Sequence, residues 1–297
     1  MPIAEVNGLE LCYESTGRAD DPPLLLVAGL GVQLIDWADH IVEPLVAAGH
    51  RVITFDNRDI GLSTTFDGAP SDPQQMVEAL MAGNEPDVAY TLADMAADGA
   101  GLLDAIGIDH AHIVGVSMGG MIAQTMAIMF PEKIRSLTSI MSTTGAGDVG
   151  QPTDEALEAI LSTSEADDRA SRIAHDLRSA RVWASPGHFD ETRTRALFEA
   201  SWDRVGGTQQ ANIGRQFCAV LASPPRDELL ALVDVPTLVV HGSVDPLVSP
   251  SGGERTADVV PNAKLLMIEG MAHDMSPAFA PDIVRAISDL VFGVEVM

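Results

Sequence analysis

Positive charge is scarce in this sequence. Lysine and arginine together number 17 against 43 aspartates and glutamates, a formal net charge of −26. A surface of that sign repels phosphate backbones and anionic lipid, which argues against nucleic-acid binding. Cysteine is scarcer still, with only Cys12 and Cys218, far apart along the chain. Two distant thiols make neither a disulfide framework nor a metal-ligand spacing, and both read as buried apolar side chains. The opening Met-Pro-Ile-Ala-Glu-Val lacks the basic stretch and apolar run of a secretory signal, so a cytoplasmic location is expected. No residue spacing calls for a metal or an organic cofactor.

Long apolar runs are nearly absent as well. Ile113 to Phe130 carries no charge, but Gly115, Gly119 and Gly120 interrupt it and Gln124 sits inside it. Read as a short strand, a turn and a helix, its helical part of about 13 residues is only about 20 Å long. That falls short of the roughly 30 Å hydrocarbon core of a bilayer, so the run is expected at the centre of a soluble protein and not in a membrane.

What is present is a chain of 297 residues, 46% hydrophobic and 20% charged, enough for one large core or two domains. Asn7-Gly8 predicts a two-residue hairpin turn between Ile3-Val6 and Leu9-Tyr13. Leu24-Ala28, Arg51-Phe55, His112-Val116, Ile134-Met141, Thr237-His241 and Ala263-Ile268 read as further strands. Between them fall helical patterns at Trp37-Ala48, from Thr91 to about Gly107, at Met118-Phe130, Gly252-Val260 and Pro277-Phe292. Thr91 with Asp94 forms a capping-box signal. Residues 56 to about 89 read as irregular. This alternation predicts an α/β fold, a mostly parallel eight-stranded sheet with helices on both faces. Residues 147–228 break the rhythm with helical patterns and charge runs, and are expected to form a helical cap. The core would then be 1–146 with 229–297.

Gly115-Val116-Ser117-Met118-Gly119 matches G-x-S-x-G between a strand and a helix. A serine on so tight a turn sits in a strained conformation, and only small neighbours avoid a clash. The turn lifts the hydroxyl above the sheet, at a helix N-terminus that favours developing negative charge. Such a serine needs a base, and the base an acid to orient it. Of eight histidines, only His273 lies in a loop after the last predicted strand. Asp245, in His241-Gly242-Ser243-Val244-Asp245-Pro246, follows the strand before it. The order serine, acid, histidine is the one that accompanies this elbow. His241 itself reads as a strand-end packing residue. The backbone amides of Met118 and Leu30 are expected to receive the oxyanion.

These segments, with Leu24-Gly31 and the block Asp56-Asn57-Arg58-Asp59-Ile60-Gly61-Leu62-Ser63, carry a resemblance. The chain resembles the α/β-hydrolase fold family over nearly its whole length, in the group of bacterial carboxylesterases, lactonases and polyketide methylesterases. The block at 56–63 is similar to the family's D-x-R-x-x-G-x-S loop, which implies a structural role for Asp56 and Arg58. One position departs: many relatives have histidine before the oxyanion-loop glycine, where this chain has Ala28. The loop must therefore be held by other means.

The expected function is hydrolysis of a carboxylic ester, with a small-molecule substrate. Lactone opening, C–C bond hydrolysis and cofactor-free perhydrolysis could run on the same triad. A binding module that keeps the triad without turnover is the alternative of another class. Met76, Met81, Met118, Met121, Met271 and Met275 lie in or near segments expected to border the site. Met121, Met271 and the cap residue Trp183 are expected to line a mainly apolar pocket.

Overall fold

The computed structural model describes residues 1–37 and 39–295. Eight strands form one sheet: β1 (Ile3–Val6), β2 (Leu9–Thr16), β3 (Pro23–Val27), β4 (Arg51–Phe55), β5 (Ala111–Val116), β6 (Ile134–Ile140), β7 (Thr237–Gly242) and β8 (Lys264–Ile268). Their spatial order is β1-β2-β4-β3-β5-β6-β7-β8. The hairpin strand β2 runs antiparallel to β1 and to β4, and every other neighbouring pair is parallel. Asn7 and Gly8 both take positive φ, 53° and 80°, as a two-residue hairpin turn of this kind requires.

The helices are α1 (Asp39–Ala47), α2 (Pro73–Met81), α3 (Leu92–Ala105), α4 (Met118–Met129), α5 (Asp154–Leu161), α6 (Arg169–Trp183), α7 (Glu191–Val205), α8 (Gln210–Ala222), α9 (Asp227–Leu230), α10 (Ser251–Val259) and α11 (Ala280–Glu295). Side chains alternate between the faces of a strand, and β3 shows what this accomplishes. Leu25 and Val27 pack with Leu92, Met95 and Leu102 of α3 and Ile122 and Met126 of α4. Leu24 and Leu26 point the other way, toward Ile41 and Leu45 of α1 and Ile283 and Ile287 of α11. All four β3 leucines and valines are fully buried. Their continuous apolar run is the mark of a strand covered on both faces.

α5 to α8 lie between β6 and β7, in the interval expected to form a cap. The capping box at Thr91 is formed, with the Thr91 amide donating to Asp94 Oδ2 at 2.8 Å. The segment expected to be irregular up to residue 89 instead contains α2. Its signal is short: Asp72 accepts the Gln74 and Gln75 amides, and Pro73 follows it at the first helical position. Asp followed by Pro is a helix-start pair as well as a turn pair, and the turn reading hid the helix. Among the described residues no helix is long and apolar enough to cross a membrane.

The turn from β5 into α4 lies directly against β3. A Cβ on Gly119 would collide with the Val27 carbonyl oxygen, and one on Gly115 with the Gly119 carbonyl. Gly293, near the end of α11, faces open space. Gly119→Ala should therefore destabilise the fold by about 2 kcal/mol or more, since a clash with backbone cannot be relieved by a rotamer change. Gly293→Ala should be neutral or stabilising by up to about 1 kcal/mol. Urea unfolding of the two variants beside the wild type checks both signs.

Candidate active site

In a parallel sheet the loops at the carboxyl ends of the strands converge on one edge. Here β3 leads into Ala28–Gly31, β4 into Asp56–Ser63, β5 into Ser117, β7 into Asp245 and β8 into His273. Ser117 stands at φ 55° and ψ −120°, outside the regions an L-residue prefers. Its amide donates to the Ile140 carbonyl at 2.9 Å, and its carbonyl accepts the Ser142 hydroxyl at 2.8 Å. The backbone is thus held from β6 while α4 begins at the next residue.

His273 Nε2 lies 3.0 Å from Ser117 Oγ, and His273 Nδ1 lies 2.7 Å from Asp245 Oδ2. The other Asp245 oxygen accepts the Leu247 and Val248 amides, each at 2.9 Å. Asp245 is buried. Burial pushes its carboxyl up, but the facing His273, bonds from His241 and His273 and the Val248 amide outweigh this and hold it well below the usual carboxylate range. A carboxylate only accepts, so Nδ1 carries the imidazole proton and Nε2 turns its lone pair to the serine hydroxyl. His241 donates Nε2–H to the Val248 carbonyl at 2.8 Å and reaches 3.5 Å from Asp245 Oδ2. It packs behind the acid and shapes the loop that holds it.

Gly29 lies against the nucleophile: a Cβ there would stand 3.4 Å from Ser117 Cβ. Among the described residues, the Leu30 and Met118 amides are not engaged by a protein acceptor.

Ser117 and His273 open onto a cavity of about 510 Å³ between the strand-end loops and α5 to α8. Its apolar wall includes Trp37, Trp183, Trp202, Phe189, Phe198 and Ile213. Trp183 is the one residue of the three expected there that lines it. Met271 is fully buried in the core layer with Leu238 and Ile283, and Met121 packs against the opposite layer. Of the other methionines expected nearby, Met275 lines the cavity, while Met81 projects into solvent at 85% exposure. Trp37, expected to open a helix, instead ends the short turn Leu34–Asp36 and lies on the wall. Asp36, also on the wall, accepts the Gln33 amide and the Ser201 hydroxyl. Burial pushes its carboxyl up to about 6, against the pull of the Gln33 amide and Ser201. Among the described residues no cluster of His, Cys, Asp and Glu is arranged to hold a metal ion.

Asp56 and Arg58 do not pair with each other. Asp56 accepts the Leu34 and Leu62 amides and meets Arg204 of α7 at 2.7 Å. Arg58 grips Asp98 of α3 through two bonds of 2.6 and 2.8 Å. Each fixes a different layer against the loop, and neither faces the serine.

Residues 22–277 match the sequence profile of the alpha/beta hydrolase fold. A rhodomycin D methylesterase of Streptomyces sp. strain C5 is 30% identical, with 97% of each chain aligned. A 3-oxoadipate enol-lactonase of Acinetobacter baylyi is 26% identical over 87% of this chain and 85% of its own. Among solved structures, a meta-cleavage product hydrolase from Pseudomonas fluorescens superposes with a TM-score of 0.76 at 20% identity, covering 99% of this chain and 98% of that one. By profile, by relatives along the full length and by architecture, the chain belongs to the α/β-hydrolase fold family.

Proposed function

We propose that this protein is a serine hydrolase of carboxylic esters, with Ser117 as nucleophile, His273 as general base and Asp245 as the orienting acid. One observation carries the reading: an unbroken hydrogen-bonded chain from Asp245 through His273 to Ser117, ending at a cavity large enough for a drug-sized molecule. Ser117 Oγ attacks the ester carbonyl while Nε2 takes its proton. The oxyanion forms against the Leu30 and Met118 amides, beside the N-terminus of α4. The resulting imidazolium is stabilised by the Asp245 carboxylate, then gives its proton to the leaving alcohol. Water, activated by the same Nε2, releases the acyl group from Ser117.

The methylesterase relative supports an ester as the bond attacked. A lactone is an ester closed on itself and would pass through the same steps, which fits the lactonase relative. The aromatic wall favours substrates whose acyl or alcohol part is mainly apolar. In this reading residues 1–146 and 229–297 carry the catalytic loops and 147–228 form the cap. The enzyme acts on small-molecule esters in the cytoplasm.

Ser117→Ala should fold normally and lose about 10⁴-fold or more of its turnover of p-nitrophenyl butyrate, because triad members act as a unit. A folded variant that keeps tens of per cent of wild-type turnover would refute the mechanism.

The pH dependence has a definite sign. Protonated His273 cannot accept the serine proton, so kcat/KM should fall toward acid. Asp245 stays ionised across that range and adds nothing to the limb. Asp36, on the cavity wall, is pushed up to about 6 by burial and also changes charge toward acid. If His273 is the base, Asp36→Asn should retain the acid limb. Loss of the limb in Asp36→Asn would assign it to Asp36 instead.

A further inference from the structure

The oxyanion loop has no side chain with which to hold itself. Ala28, Gly29 and Gly31 have no polar side chain, so apart from the local bond of the Val32 amide to the Gly29 carbonyl, at 3.3 Å, the loop is fixed by side chains from elsewhere. At one end the Ala28 carbonyl accepts Asn57 Nδ2–H at 3.0 Å. At the other, the Gly31 amide donates to Gln216 Oε1 at 3.0 Å. Gln216 belongs to cap helix α8 and is fully buried. Its Nε2–H donates in turn to the Arg58 carbonyl at 2.8 Å. Only one orientation of the amide satisfies an N–H at one end and a C=O at the other, so the side chain is locked. Leu30 stands between the two pinned points.

α8 is itself fixed. A Cβ on Gly214 would collide with the Ser71 carbonyl, so α8 and the chain entering α2 touch backbone to backbone. The Ile213 side chain comes within 3.1 Å of where a Gly31 Cβ would stand. Arg215, 3% exposed, grips Asp59 through bonds of 3.0 and 2.8 Å. Across the cleft the chain that leaves α6 holds the other loop. The Trp183 carbonyl accepts the His273 amide at 3.0 Å, and Ser185 Oγ accepts the Ala272 amide at 2.8 Å while donating to Asp274.

We propose that Gln216 is a positioning residue for the oxyanion loop, and that the cap is a fixed brace for both catalytic loops and not a lid that swings free of them. The inference rests on the hydrolytic reading and adds to it a role for residues that never touch substrate. An intact brace keeps the Leu30 amide aimed at the developing oxyanion. Without Gln216 the Gly31 end of the loop is released, and transition-state binding suffers before ground-state binding does.

The test uses Gln216→Met, similar in length and without hydrogen bonds, and Gln216→Glu, which keeps the acceptor for Gly31. Three quantities are read. The first is kcat for p-nitrophenyl butyrate. The second is the inhibition constant of n-butylboronic acid, whose boron bonds to Ser117 Oγ as the serine proton passes to His273, leaving a tetrahedral boronate in the oxyanion seat. The third is the Kd of the unreactive N-(4-nitrophenyl)butyramide, followed by quenching of the cavity tryptophans. In Gln216→Met, kcat should fall roughly 10- to 100-fold, somewhat less than deletion of an oxyanion donor, and the boronate constant should rise in parallel. The butyramide Kd should stay within about twofold, and Gln216→Glu should recover much of kcat. A folded Gln216→Met with wild-type kcat and boronate inhibition would overturn the proposal. If Gln216→Met does not fold, Ser185→Ala carries the test: kcat should fall with butyramide binding kept, and an unchanged kcat would overturn the brace. Wild-type turnover that survives Ser117→Ala would mark failure of the hydrolytic reading itself, and the inference would go with it.

Discussion

Ser117 occupies a backbone conformation, φ 55° and ψ −120°, that an L-residue keeps only where its surroundings leave no alternative. Those surroundings are backbone. The Ile140 carbonyl takes the serine amide, Gly115 and Gly119 let β5, α4 and β3 approach backbone to backbone, and Gly120 leaves room for the Ser139 and Ser142 side chains. Such strain costs on the order of 1–3 kcal/mol, and burial of the two apolar layers around β3 offsets it. The position of the hydroxyl follows from that crowding, and the other site residues are arranged to meet it there.

Charge in this protein divides into two populations. The excess of acid lies largely on the surface and sets its interaction with solvent and with other polyanions. The interior charges are few: three arginines each face an aspartate, and Arg226 instead donates to Gln124 Oε1 and the Thr143 carbonyl. Arg204 with Asp56 and Arg215 with Asp59 tie cap helices to the loop after β4, and Arg58 with Asp98 ties that loop to α3. Buried pairs of this kind contribute little net stability because desolvation nearly cancels their attraction. Their consequence here is geometric, since each fixes the loop after β4 against a helix.

Much of the fold was legible because its signals are local. The apolar run at β3, Asn-Gly at the hairpin and Thr91 with Asp94 each specify structure within a few residues. Ser117, Asp245 and His273 meet for a related reason: each follows a strand, and a parallel sheet brings the ends of its strands together. What was not legible depends on distance along the chain. Gly31 and Gln216 are 185 residues apart, and nothing about a glutamine in an amphipathic helix marks it as the support of a glycine loop. Arg58 lies beside Asp56 in the motif yet pairs with Asp98. Met121 and Met271 failed as pocket residues because a position near the nucleophile or the histidine does not fix which way a side chain points. Met271 turns into the layer beneath the sheet instead.

The central claim is that Ser117 is the nucleophile and that His273 makes it one. It is tested most directly by a fluorophosphonate, which phosphonylates an activated serine with loss of fluoride. One label per chain is expected, on the peptide that contains Ser117, with esterase activity lost in step with labelling and with labelling slowed strongly in His273→Ala. Label on a different residue, or full activity in protein labelled completely at Ser117, would contradict it.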